Sequence, residues 1–156
     1  MQHGDSVASR SEPDAAVSAH RPLPACSLLC EHQFVPQTEV VFYKEGDSVP
    51  VREWLKSLPR KVARKCLVYL DVLEQQGHEL RRPIADFIRD GIYELRPTFQ
   101  GVNYRILYFF RGRNAVVVSH GIVKQSEVPE VEIDRAVERK QRFESDPEPH
   151  TYRRSQ

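Results

Sequence analysis

The chain has 156 residues, with 23 Lys+Arg against 22 Asp+Glu and a formal net charge of +1. That length suits one compact domain with flanking segments, and 40% apolar with 29% charged residues is the balance of a globular protein. Apolar runs such as Leu107–Phe110 and Ala115–Val118 are a few residues long, against the roughly 20 of a spanning helix. No basic-then-apolar leader opens the chain, so the expectation is a cytoplasmic protein without a membrane partner.

Residues 1–36 carry Pro13, Pro22, Pro24 and Pro36 among small polar residues without periodicity, a composition expected to stay disordered. Cys26-x3-Cys30-x-His32 lies within it, either as incidental cysteines or as three ligands of an incomplete set, since structural zinc takes four. No metal or cofactor is expected. The third cysteine, Cys66, falls among helical apolar positions and reads as a small core residue.

The domain is expected over 37–144. Glu39–Lys44 reads as a strand closed by the turn-prone Glu45-Gly46-Asp47-Ser48. Pro50 then starts a helix with Val51, Trp54, Leu55 and Leu58 at i, i+3, i+4, i+7, and Pro59 ends it. A second helix has Val62, Cys66, Tyr69, Leu70 and Leu73 on one face and Gly77 as its stop. Arg60, Lys61, Arg64 and Lys65 crowd its first turns, as a solvated face or as a contact for a polyanion.

Asp86 and Asp90 could share a helical face, or flank a turn. Asp90-Gly91 introduces a strand at Ile92–Arg96. The long strand Val102–Arg111 puts Val102, Tyr104, Ile106, Tyr108 and Phe110 on one face and Arg105, Leu107 and Phe109 on the other. After Gly112-Arg113-Asn114 the chain returns from Ala115 to about Val123, where parity groups His120 with Val116, Val118 and Ile122. A last helix starts near Pro129, with Ile133, Ala136, Val137 and Phe143 at helical spacing, and 145–156 reads as a disordered tail. The fold class is α+β in the order β-α-α-β-β-β-α: a small, mainly antiparallel sheet packed by an N-terminal helical pair and a C-terminal helix.

Phosphate-binding glycine loops, nucleophile elbows and paired-Cys zinc patterns are missing from this domain. What stands out is charge order. From 95 to 126 the chain has Arg96, Arg105, Arg111, Arg113 and Lys124 and no acid; from 127 to 138 it has Glu127, Glu130, Glu132, Asp134 and Glu138 against Arg135. The surface field should therefore be polarised. Arginine forks suit phosphate oxygens, although strand-end surface charge is the plainer reading of these bases. On parity alone His120 reads as a hydrogen-bonded, half-buried histidine rather than a proton donor.

Tyr93-Glu94-Leu95-Arg96, Gly101-x-x-Tyr104-Arg105-Ile106-Leu107-Tyr108-Phe109-Phe110, His120-Gly121-Ile122-Val123-Lys124 and the helix from Pro129 follow one another in a characteristic order. With Trp54-Leu55, Leu58-Pro59 and Leu73…Gly77…Leu80…Pro83 upstream, this pattern resembles the HigB branch of the RelE/ParE toxin superfamily, which includes the phage-derived Gp49-like proteins. The resemblance covers about 39–143. It implies a type II toxin, held by a helix-turn-helix (HigA-like) antitoxin, that cuts mRNA on the ribosome without a metal. The ribose 2′-hydroxyl would attack the adjacent phosphate.

The same resemblance implies catalytic roles for Arg96, Arg105, His120 and Lys124. Arg96 would contact the phosphate, Arg105 would do so or brace the sheet, and His120 and Lys124 are acid–base candidates. Arg111, Arg113, Lys61 and Lys65 are candidates for RNA contact. Tyr108 is a proton donor or a core residue. One departure stands out: the family's Lys-Lys-Thr is Lys124-Gln125-Ser126 here. Loss of that cation keeps two rivals open, a ParE-like non-nucleolytic toxin and a degenerate phage-derived protein that only binds its antitoxin.

Overall fold

Alternating apolar residues build a sheet whose two faces are covered by different helices, and this decides where the charged side chains go. A computed structural model describes residues 37–124 and 126–154. The chain runs β1 (Glu39–Tyr43), α1 (Pro50–Ser57), α2 (Arg60–Gln76), a 3-10 turn (Gly77–Glu79), β2 (Ala85–Arg89), β3 (Ile92–Leu95), β4 (Thr98–Phe99), β5 (Val102–Arg111), β6 (Ala115–Lys124), α3 (Glu130–Ser145) and β7 (Thr151–Arg153). Among these residues the architecture is α+β, with three helices and a seven-stranded, mostly antiparallel sheet. Its strands lie in the order β2-β3-β5-β6-β1-β7, with β4 paired to β5. The β1–β6 pair is parallel.

Pro50 sits at the start of α1, and the left-handed Gly77 (φ 50°) ends α2, as the sequence leads one to expect. One sheet face packs Val40, Phe42, Leu95, Ile106, Tyr108, Val116 and Val118 against α1 and α2 through Val51, Leu55, Val62, Cys66, Leu70 and Leu73. The other packs Val41, Tyr43, Ile92, Leu107, Phe109 and Val117 against Ala136 and Phe143 of α3. Phe143 is fully buried, edge-on to Phe109 at 5.8 Å, and truncating such a ring costs about 3–5 kcal/mol. Glu130 and Glu132 in the first turn of α3 and Arg142 in its last suit the helix dipole.

Three strands go beyond the sequence expectation. Asp86 lies inside β2, and only Asp90 (φ 52°) belongs to the turn. β4 has two residues, too few for a periodicity. The expectation of a disordered tail from 145 is corrected, because Thr151–Arg153 pairs antiparallel with β1. The free edge of β1 supplies partners that the tail's own composition does not reveal. The Lys44 amide donates to the His150 carbonyl at 2.9 Å, and His150 Nδ1 returns a bond to the Lys44 carbonyl at 2.8 Å. Tyr152 stacks on Phe42, and Arg154 meets Asp71 at 2.5 Å. The expectations for residues 1–36, Cys26, Cys30 and His32 included, lie outside the described residues.

Candidate functional site

β3, β5 and β6 are neighbours, so charged residues at matching positions on one face must meet. Glu94 pairs with Leu107, Arg105 with Ile122 and Lys124 with Asn103. Glu94, Arg105 and Lys124 therefore share the α3 face of the sheet, and Arg96 follows Glu94 at the next position on that face. Arg105 Nε lies 3.2 Å from Glu94 Oε2, and Arg96 Nε lies 3.6 Å from Glu94 Oε1. Arg105 also donates through Nη1 to the Tyr104 carbonyl at 2.7 Å. Both Glu94 and Arg105 are buried, with Oε2 and Nε lacking any well-aligned hydrogen bond.

Around this pair, Arg96 Nη1 lies 3.8 Å from Asp86 Oδ2, which also receives Arg82 Nη2 at 2.5 Å. Burial lowers the Lys124 ammonium below its ordinary value; Glu94 opposes the shift, while Arg105 and Arg96 add to it. Burial likewise lowers the Arg105 guanidinium, against the pull of Glu94. The result is a patch where Arg96 and Arg105 flank one carboxylate with Lys124 on the same face, able to hold an anion and, at Lys124, to exchange a proton.

The structure therefore brings together Arg96, Arg105 and Lys124. His120 stands apart from them. A β-bulge between Leu107 and Tyr108 pairs them with His120 and Val118, so Ser119 is the extra residue. The bulge overturns the parity with Val116 and Val118 and turns His120 to the α3 side. There its Nε2–H donates to Glu132 Oε2 at 2.9 Å and its Nδ1 accepts from Ser119 Oγ at 2.8 Å. Burial first, then Arg139, pulls its pKa down to about 4. Four residues of strand separate it from Lys124, roughly 13 Å. Its surroundings are Trp54, Gly121, Arg135 and Arg139. Gly121 is required there, because a Cβ would run into the Trp54 ring.

Arg111 and Arg113 lie at the opposite end of β5. Arg111 covers the Phe143 ring at 5.6 Å, and Arg113 is exposed in the β5–β6 turn. Lys61 is exposed and Lys65 half-buried on α2, the helix of the other sheet face. Tyr108 is a core residue: it is buried, stacked on Tyr93 at 5.6 Å, and burial pushes its hydroxyl well above the usual value. Glu94 is the residue that sequence reading missed. A carboxylate at an inward strand position directly before the Leu95-Arg96 pair was the available signal, since a buried acid needs a cation.

Fold and site together define a small α+β protein carrying a cation patch on one sheet face. Residues 53–141 match the family described as phage-derived protein Gp49-like (DUF891). The chain belongs to that family, one of RelE/HigB-like toxins of toxin–antitoxin systems, whose members have an antitoxin partner. The match spans every residue of the patch and leaves out β1 and β7. No curated protein matches the chain. Among the described residues, no helix is long and apolar enough to cross a membrane.

Proposed function

We propose that the protein is the toxin of a type II system and a metal-independent endoribonuclease that cuts mRNA on the ribosome in the cytoplasm. A helix-turn-helix antitoxin holds it inactive. The observation that carries this reading is the pairing of Arg96 and Arg105 with the buried Glu94, on the same sheet face as Lys124. In the reaction the 2′-oxygen bonds to the adjacent phosphorus, and its proton passes to a base. The bond from phosphorus to the 5′-oxygen then breaks, leaving a 2′,3′-cyclic phosphate, and that oxygen takes a proton to become a 5′-hydroxyl.

The half-exposed Arg96 is suited to the charge that builds on the phosphorane oxygens, while the buried Arg105 braces the patch through Glu94 and the Tyr104 carbonyl. Lys124, its neutral form favoured by burial, is the proton-accepting candidate. His120 takes a supporting role on α3, because its proton is committed to Glu132. The rival, a non-nucleolytic toxin or an antitoxin-binding remnant, draws on Gln125 standing where the family pattern has a cation.

Induction of the protein alone, followed by primer extension on a reporter message, separates these readings. Growth arrest with new 5′ ends inside coding regions supports the nuclease. Arrest without new ends supports a target such as gyrase, which a supercoiling assay would expose. Normal growth with intact message supports the remnant.

A further inference from the structure

Round the β2 edge from the cation patch, on the α1/α2 side of the sheet, runs a groove of about 570 Å³ lined by His78, Arg81, Arg82, Asp86, Phe87 and Tyr93. Phe87 is its most unusual feature. It sits in the middle of edge strand β2 and is 55% exposed, whereas its partner Tyr93 is half-buried. The two rings are 5.2 Å apart and nearly edge-to-face at 68°, so a face of Phe87 is not covered by Tyr93. Tyr93 is itself fixed by Tyr108 at 5.6 Å and Phe110 at 5.1 Å, and His78 stacks on Phe110. Tyr93, against which Phe87 packs, is therefore held in place before any ligand arrives.

Cations flank this wall. Arg81 is tethered through Nη1 to the His78 and Leu80 carbonyls, which fixes its guanidinium at the groove. Arg82 reaches Asp86 Oδ2, the oxygen that also lies near Arg96. Groove and patch thus lie on opposite faces of the sheet and meet at its β2 edge, where Asp86 joins Arg82 to Arg96, so a strand leaving Arg96 reaches Phe87 by turning round that edge. An exposed aromatic face between tethered arginines matches a single-stranded nucleic acid, whose bases present π-faces and whose backbone presents phosphates.

We propose that this groove binds the RNA strand next to the cleaved bond, with a base stacked on Phe87 and the backbone held by Arg81 and Arg82. The inference rests on the nuclease reading for its direction, since it extends the same strand away from Arg96. Its chemistry is sequence-tolerant, because every base has a stacking face.

The test uses the full chain and a short fluorescent 2′-O-methyl RNA, which binds but has no free 2′-hydroxyl to attack. Fluorescence anisotropy at low salt gives Kd for wild type, Phe87→Ala and Phe87→Trp. The expected result is a Kd about tenfold weaker for Phe87→Ala and near wild type for Phe87→Trp. A Phe87→Ala Kd within about twofold of wild type, or no binding by wild type, overturns the proposal and leaves the groove to a protein partner that adds a strand to β2. Cleavage of unmodified message on ribosomes is followed in parallel. Message left uncut while binding still depends on Phe87 removes the nuclease reading and keeps the groove. Cutting with Phe87-independent binding does the reverse.

Discussion

Glu94 Oε2 and Arg105 Nε lie 3.2 Å apart with their side chains only 8% and 6% exposed, so each charge depends on the other for its place in the sheet. Removing one partner of a buried pair strands the other in a poor solvent, which costs about 3–5 kcal/mol. Glu94→Ala is therefore expected to lower the unfolding free energy by about 3 kcal/mol in urea titration. A loss under about 1 kcal/mol would place the pair among ordinary surface contacts.

The same carboxylate holds the Lys124 pKa up against burial and two arginines. A base must be neutral to accept a proton, so cleavage should rise with pH as Lys124 deprotonates. In Glu94→Gln the opposing charge is gone, and the rising limb is expected at lower pH than in wild type. A pH–rate profile of the variant, compared at matched folded fraction, checks the sign. A limb that stays put or moves upward removes Lys124 from that role.

Arg96 is 32% exposed on its side chain, and its carboxylate contacts are long, at 3.6 and 3.8 Å. Such pairs contribute at most about 1 kcal/mol. Arg96→Ala should keep its thermal melt close to wild type and lose growth arrest together with new 5′ ends. Full arrest by a folded Arg96→Ala protein would falsify its assignment to the phosphate.

His120, its pKa pulled down from 6.5 to about 4 by burial, carries a pH-dependent stability. Because the folded value is depressed, the neutral ring is favoured by folding. The contribution is fully present above pH 6.5 and is lost as pH falls towards 4. Urea midpoints should therefore fall between pH 7 and 4.5 in wild type, and fall less in His120→Gln. Equal slopes in the two proteins would mean that other groups carry the acid sensitivity.

Tyr152 of β7 stacks on Phe42 and lies under the Arg52 guanidinium, 5.4 Å from the ring centre. Tyr152→Ala should cost about 1–2 kcal/mol and leave the cation patch and the proposed RNA cleavage unchanged. A melt shifted by several degrees with unaltered cleavage would agree; lost cleavage in a folded variant would tie β7 to the site.

Periodic apolar residues made β1, both N-terminal helices, β3, β5, β6 and α3 legible, since burial acts over several residues at once. Asp86 was harder, because acids at both ends of Asp86–Asp90 look like turn residues until the pairing with Glu94 is known. β7 was hidden because its stability comes from the edge of β1. The bulge at Ser119 was hidden too, and with it the orientation of His120, since one inserted residue reverses parity without any local composition signal. At the site, Arg96, Arg105 and Lys124 were readable as residues. Their common dependence on Glu94 required knowing which strands are neighbours.

β1 takes its two partners from Ala115–Val118 and Thr151–Arg153, both far downstream. Pairing that distant closes long loops before any contact rewards it, so topology of this kind slows folding. During synthesis Glu39–Tyr43 emerges first and must wait for most of the domain before it has a neighbour on either side. A nascent chain thus cannot finish its sheet while β7 is still untranslated, which sets a delay between making the protein and making it complete.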